Sequence, residues 1–166
     1  MSRATSPPRG YFQEVVSKEY FKFQYNPDAL EEDLDVAYQK TKILGMSHDV
    51  LQYQHTGSHK VTFDLAFDAF SFVEYDVDAA RKRLLSLCYP KRGAGNIAAG
   101  GPPRLLFVWP GFFSMTCVLE KLKFKHKRFA WVGDPNTTWF VCSVTLQEIR
   151  DTRLFGDEVL SKGTRR

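Results

Sequence analysis

Pro102-Pro103-Arg104-Leu105-Leu106-Phe107-Val108-Trp109-Pro110-Gly111 opens the last third of the chain. A long run to Phe129 follows, then Gly133-Asp134-Pro135, then a closing run from Trp139 to Ile149. In order, these predict a strand stopped by Pro-Gly, a long strand, a tight turn and a last strand. From Leu119 onward the long run alternates apolar and basic residues. Leu122 and Phe124 face one way, and Lys121, Lys123, Lys125 and Lys127 the other. Alternation with period two marks a strand buried on one side. In the closing run Val141, Ser143, Thr145 and Gln147 alternate with Cys142, Val144, Leu146 and Glu148. Gly133-Asp134-Pro135-Asn136 is turn chemistry, because glycine allows positive φ and proline fixes φ in a bend. The expected core is an antiparallel sheet.

The rest of the composition agrees. A chain of 166 residues suggests one domain. The 43% hydrophobic content can build a core, and 14 Phe, 7 Tyr and 3 Trp favour β-structure. The formal net charge is +4, an excess too modest to single out nucleic acid as a partner. Cys88, Cys117 and Cys142 are widely spaced and form no CxxC pair, so a disulfide framework is not expected and a reducing compartment is. The first ten residues contain no apolar signal core, and no run approaches the roughly 20 apolar residues of a membrane span. The expectation is a soluble protein without an export signal and without membrane contact.

Taken in order, residues 1–17 read as a flexible arm, polar and Pro-rich at its start. Lys18 to Tyr25, with Tyr20, Phe21, Phe23 and Tyr25, predicts a first strand ended by Asn26-Pro27-Asp28. Leu34, Val36 and Tyr38 suggest a second strand. A helix over Pro27 to Lys42 is the rival, since Asp28-x-x-Glu31 resembles a cap. Gly45 to Lys60 reads as an extended loop or hairpin arm. Lys60 to Phe67 alternates again, with Val61, Phe63, Leu65 and Phe67 on one face. Asp76 to Cys88 is a helix with Asp76 as cap and an apolar stripe of Val77, Ala80, Leu84, Leu87 and Cys88. Lys91 to Gly101 is a Gly/Ala loop, and 151–166 a polar tail with room for a short helix at Asp157 to Ser161.

No residue pattern supports catalysis. Gly93-Ala94-Gly95-Asn96-Ile97-Ala98 matches a dinucleotide fingerprint in letters, but a helix precedes it and Pro102-Pro103 follows, the reverse of the context such a loop requires. His48, His55 and His59 lack ligand spacing, so no metal is expected. The cysteines lack an activating neighbour. Asp64, Asp68, Glu74, Asp76 and Asp78 read as solvent-facing strand residues and a helix N-terminus. No catalytic residue, cofactor or metal site is expected. The lysine row, with Phe124, Phe129 and Trp131 nearby, admits a small β-barrel that binds single-stranded nucleic acid through Lys121 to Arg128. Against that, the aromatics lie mostly on the opposite parity. A solvated strand edge or a face that meets a partner subunit explains the lysines equally.

The order of short motifs resembles the contractile injection system tube protein family. It runs Phe23-Gln24-Tyr25-Asn26-Pro27, then Gly57 before Val61-Thr62-Phe63-Asp64-Leu65-Ala66-Phe67-Asp68, then Asp76-Val77 at a helix start. Pro103, Leu106-Phe107-Val108-Trp109-Pro110-Gly111, the long strand, Gly133-Asp134-Pro135 and Cys142 to Glu148 continue it, so the likeness spans about Lys18 to Ile149. The resemblance implies an antiparallel β-sandwich or barrel of tail-tube type with one flanking helix. It implies a non-enzymatic subunit of a phage tail or related injection system, a tube initiator or adaptor that forms a ring at the junction of baseplate and tail tube. Its implied partners are copies of itself in hexameric symmetry and the tail tube and baseplate hub proteins, with DNA only passing through the lumen. Its implied location is the tail of the virion, assembled in the host cytoplasm. Gly45 to Lys60 would be the arm that reaches the next ring. A counterpart of the peptidoglycan-binding LysM module that many members carry is not expected, since Asp151 to Arg166 are too short to form one. The expected subunit contacts are Tyr25, Asn26, Pro27, His48, Tyr53, His55, Trp109, Lys121, Lys123, Lys125 and Trp139, with the lysines on an outer or inter-ring surface.

Overall fold

The long strand expected to run to Phe129 is the spine of the molecule, which we describe from a computed structural model over residues 8–70, 76–91, 100–129 and 137–150. Nine strands and one helix appear among these residues: β1 Tyr11–Glu14, β2 Tyr20–Lys22, β3 Leu30–Asp33, β4 Val36–Thr41, β5 Val50–Thr56, β6 Lys60–Asp68, α1 Val77–Ser86, β7 Leu105–Trp109, β8 Phe113–Phe129 and β9 Thr137–Glu148. Seven strands form one sheet in the order β2-β1-β7-β8-β9-β6-β3, every neighbour antiparallel. β4 and β5 form a separate hairpin.

The sheet coils over itself into a sandwich. Phe107 of β7 stacks on Phe63 of β6 with ring centroids 5.0 Å apart, and Phe12 of β1 lies 6.3 Å from Phe63, so the two ends of the sheet share one core. The barrel alternative is not realised: β2 and β3 end the sheet and do not pair with each other. Pro110-Gly111 does end β7 as expected. Phe112 N–H donates to the Trp109 carbonyl at 3.0 Å across a turn with proline second and Gly111 third at φ 80°, which is type II geometry.

β8 holds a feature that simple alternation misses. Met115, Cys117 and Leu119 face the core, and so do Leu122 and Phe124. Leu119 pairs with Leu146 and Lys121 with Thr145, so Glu120 is an extra residue, a β-bulge. Because side chains alternate strictly, one inserted residue is what keeps both halves of the strand facing the core.

α1 begins as predicted, the Asp76 carboxylate accepting from Ala79 N–H at 2.9 Å. Val77, Ala80, Leu84 and Leu87 are buried, and the Arg81 guanidinium lies 5.7 Å from the Phe124 ring centroid on the core side of β8.

Three expectations are corrected. Residues 11–14 are β1, not arm: Phe12 is buried, and so is the Glu14 carboxylate, which accepts from the Lys91 ammonium at 2.5 Å. The rival helix over Pro27 to Lys42 does not form. Leu30–Asp33 pairs instead with β6, although its sequence, Leu-Glu-Glu-Asp, has almost no apolar content. The segment 45–60 supplies the tip and returning strand of an arm that begins at Val36, and its last residue, Lys60, already belongs to β6. Residues 1–7, Glu74, Trp131, the Gly133–Pro135 turn, most of the 91–101 loop and the 151–166 tail lie outside the described residues.

Gln24 caps an otherwise open stretch of β6. Its side-chain amide donates to the Asp68 carbonyl at 2.6 Å and accepts from Asp68 N–H at 2.8 Å, imitating a strand residue. Gln24 is 2% exposed. Gln24→Leu should therefore cost about 1–3 kcal/mol, since both backbone groups lose their partner under cover. A urea midpoint unchanged from the parent protein would refute this.

Candidate functional site

The outward face of β8, β9, β6 and β3 is built by the parity of the core. With Phe140, Cys142, Val144 and Leu146 buried, Trp139, Val141, Ser143, Thr145 and Gln147 must face out. Register then sets the rows: Lys121 beside Thr145 and Thr62, Lys123 beside Ser143 and Asp64, Lys125 beside Val141 and Ala66. Glu31 continues the first of these rows on β3, opposite Thr62, and Asp33 lies opposite Lys60. The face thus has a basic margin on β8, a floor of mostly small uncharged residues, and an acidic margin on β3.

Local contacts fix several of these charges. Ser143 Oγ donates to Asp64 Oδ1 at 2.5 Å, and the Lys127 ammonium lies 4.9 Å from the Trp139 ring centroid. The Lys60 ammonium donates to Glu120 Oε1 at 2.9 Å, and that hydrogen bond, with the carboxylate charge, raises the Lys60 pKa from its ordinary value. Lys121, Lys123 and Lys125 are exposed and form no ion pair among the described residues. Shallow hollows lie along this face. One is lined by Asp64, Lys123, Lys125 and Val141, the next by Tyr25, Asn26, Asp28, Lys127 and Trp139.

The second surface is the β4–β5 arm. Every β5 residue is exposed, and β4 is exposed except for Ala37. The cross-strand pairs Tyr38–Tyr53 and Lys40–Leu51 share one face; Gln39 and Gln52 pair on the other, where Gln54 donates to Gln39 at 3.1 Å. With Ile43, Leu44 and Met46 at the tip also exposed, the arm is the most apolar uncovered part of the described chain.

These positions sort the expected contact residues. Lys121, Lys123, Lys125, Trp139, Tyr25 and Asn26 come together on the sheet face. His48, Tyr53 and His55 lie on the arm. Asn26 is already engaged within the subunit, accepting from Gly10 N–H at 2.9 Å and donating to the Pro8 carbonyl at 3.1 Å, and Pro27 is buried. Trp109 packs on the core at the end of β7, beside Phe112. Sequence reasoning missed Glu31 and Asp33 because their charge hid the strand that carries them. It also missed the apolar face of the arm, whose start at Val36 it placed later.

The three thiols, which lie in or against the core, are held in their unreactive protonated form. Burial pushes the Cys117 and Cys142 thiols up to about 12 and raises that of Cys88. Among the described residues no three His, Cys, Asp or Glu side chains are grouped to hold a metal ion, and no helix is long and apolar enough to cross a membrane. Phe124, which the nucleic-acid alternative would use for stacking, faces the core, 5.5 Å from Phe140.

The contractile injection system tube protein family profile matches residues 8–152, and the chain belongs to that family. It is thus a tube-type structural protein of contractile injection systems. No curated protein matches it. Similar solved structures include a chain from the virion of a native gene transfer agent particle, with TM-score 0.43 and 8% identity over 89% of this chain and 95% of that one. A chain from the anti-feeding prophage baseplate, imaged with 6-fold symmetrisation, gives TM-score 0.41 and 10% identity over 94% and 98%.

Proposed function

We propose that this chain is a ring-forming subunit at the junction of baseplate and tail tube, a tube initiator or adaptor without catalytic activity. Its partners in this reading are copies of itself in hexameric symmetry, the tail tube protein above and the baseplate hub below. DNA passes through the lumen without a dedicated site, and the working location is the virion tail after assembly in the host cytoplasm. The observation that carries the reading is the β4–β5 arm. A two-stranded hairpin with one apolar face is marginal alone in water and gains stability when another surface covers that face. In this reading the arm lies on a neighbouring copy or on the next ring.

The rival, a barrel that grips single-stranded nucleic acid, has weaker support. It needs aromatic rings beside the lysines, whereas Phe124 faces the core and the hollow lined by Lys123 and Lys125 has no ring in its lining.

Sedimentation of the purified protein and negative-stain images of any large species test the proposal. The expected result is rings or short stacks. A species that stays at 19.1 kDa, alone and mixed with tail tube protein, overturns it.

A further inference from the structure

We propose that the outward face of β8, β9, β6 and β3 seats an α-helix of a partner protein. That helix carries an acidic stripe along one edge and a basic stripe along the other. The inference goes beyond the ring reading and does not depend on it.

Charge of both signs is laid out across this face. In one row over all four strands the register reads Lys121, Thr145, Thr62, Glu31. On the β8 side, one hollow is lined by Lys123, Lys125 and Lys127 with Val141, Ser143 and Asp64. On the β3 side, another is lined by Asp28, Glu31 and Asp64 with Thr62. Between the margins stand Val141, Ser143, Thr145, Thr62 and Ala66, none of them charged or aromatic. Asp64, the charge within that strip, accepts from Ser143 Oγ at 2.5 Å. A uniformly anionic ligand fits poorly here. A nucleic-acid strand drawn to Lys123 and Lys125 brings phosphates toward Asp64, Glu31 and Asp28, and like charges brought together discriminate against it. The partner that fits carries both signs in two rows.

The dimensions select a helix. Neighbouring strands lie about 4.8 Å apart, so the three spacings from β8 to β3 separate the margins by about 14 Å. A helix with its side chains is about 10–12 Å across and lies between them. Acids on one edge then reach the lysines, bases on the other reach Glu31 and Asp28, and the surface between rests on the floor. An extended strand laid on the same face turns only alternate side chains to it, one row, and meets one margin. Helix residues four apart are separated by about 6 Å along the axis, against about 6.8 Å for alternate residues of β8. Successive acids therefore meet Lys121, Lys123 and Lys125 in turn. Beyond Lys125, Trp139 and Tyr25 line the next hollow, where an apolar side chain of the helix would sit.

Fluorescent helical peptides of about 18 residues, long enough to cover the lysine row, test this by anisotropy against the full chain. One has Glu along one edge and Lys along the other over an alanine face; the others have Glu on both edges or Lys on both. At about 50 mM salt, where exposed charge pairs are screened least, the mixed peptide should saturate. It should bind at least about tenfold tighter than either uniform peptide or an oligothymidylate strand. K121E/K123E/K125E makes both margins acidic, and the preference should pass to the peptide with Lys on both edges. D28K/E31K makes both basic, and it should pass to the peptide with Glu on both. Both variants change exposed side chains and should keep the circular dichroism of the parent. An exchange of preference is a gain that a misfolded chain does not produce. Equal binding of the mixed and all-Glu peptides by the wild type overturns the proposal. So does unchanged preference in the folded variants, tighter binding of the oligothymidylate, or no saturable binding up to about 1 mM.

Discussion

Replacing Phe107 by alanine is expected to lower the unfolding free energy by about 3–5 kcal/mol, among the largest effects of any single substitution. Phe107 is fully buried, and its ring lies 5.0 Å from that of Phe63, 5.7 Å from Phe12, 5.9 Å from Phe113 and 6.1 Å from Phe23. Those rings belong to β6, β1, β8 and the segment after β2, so one side chain joins both ends of the coiled sheet. Truncation leaves a cavity that four other aromatic rings, held by their own strands, cannot collapse to fill. Against a total stability of order 5–15 kcal/mol, that brings the domain close to unfolding. Urea denaturation followed by circular dichroism is the measurement. A midpoint shift worth less than about 1 kcal/mol would show that the two halves are held together elsewhere.

The second large effect is on assembly, with little on stability. Excising Val36 to Thr56 and joining Asp35 to Gly57 through an Asn-Gly turn should leave the domain within about 1 kcal/mol of the parent, because shortening an exposed loop changes closure entropy only slightly. The arm contributes no residue to the core, and Gly57 N–H already donates to the Asp35 carbonyl at 2.7 Å, so the new turn closes on an existing hydrogen bond. Rings or stacks should disappear. Unchanged unfolding with unchanged assembly would mean that the apolar face of the arm, with Tyr38, Leu51 and Tyr53, meets no other copy. A large loss of stability would contradict its exposure.

What the sequence made legible follows from where burial imposes a pattern. β6 and β9 each present alternate side chains to the core, so Val61 to Phe67 and Cys142 to Leu146 announce themselves by period. α1 is equally plain because Asp76 caps a stripe of small and apolar residues. β1 was hidden because its second inward residue is Glu14, tolerated only through Lys91, far along the chain. β3 was hidden because an edge strand needs few apolar residues. The arm was read as beginning too late because a hairpin with nothing behind it has no buried side to write a pattern. The candidate surfaces were legible only in part for the same reason. Lysines on one parity are visible in the letters, but the acids on the opposite margin of that sheet face come from a strand identified only by its pairing.

Glu120 gives the molecule an uneven tolerance to changes in length. As the extra residue of β8, it works as a phase shift between two stretches that would otherwise expose opposite sides. Losing it would set every residue from Lys121 to His126 out of step, turning lysines inward and Leu122 and Phe124 outward, unless the pairing slipped along β9. The chain can thus surrender a whole hairpin more readily than one glutamate, because what the sheet counts along β8 is parity and not length.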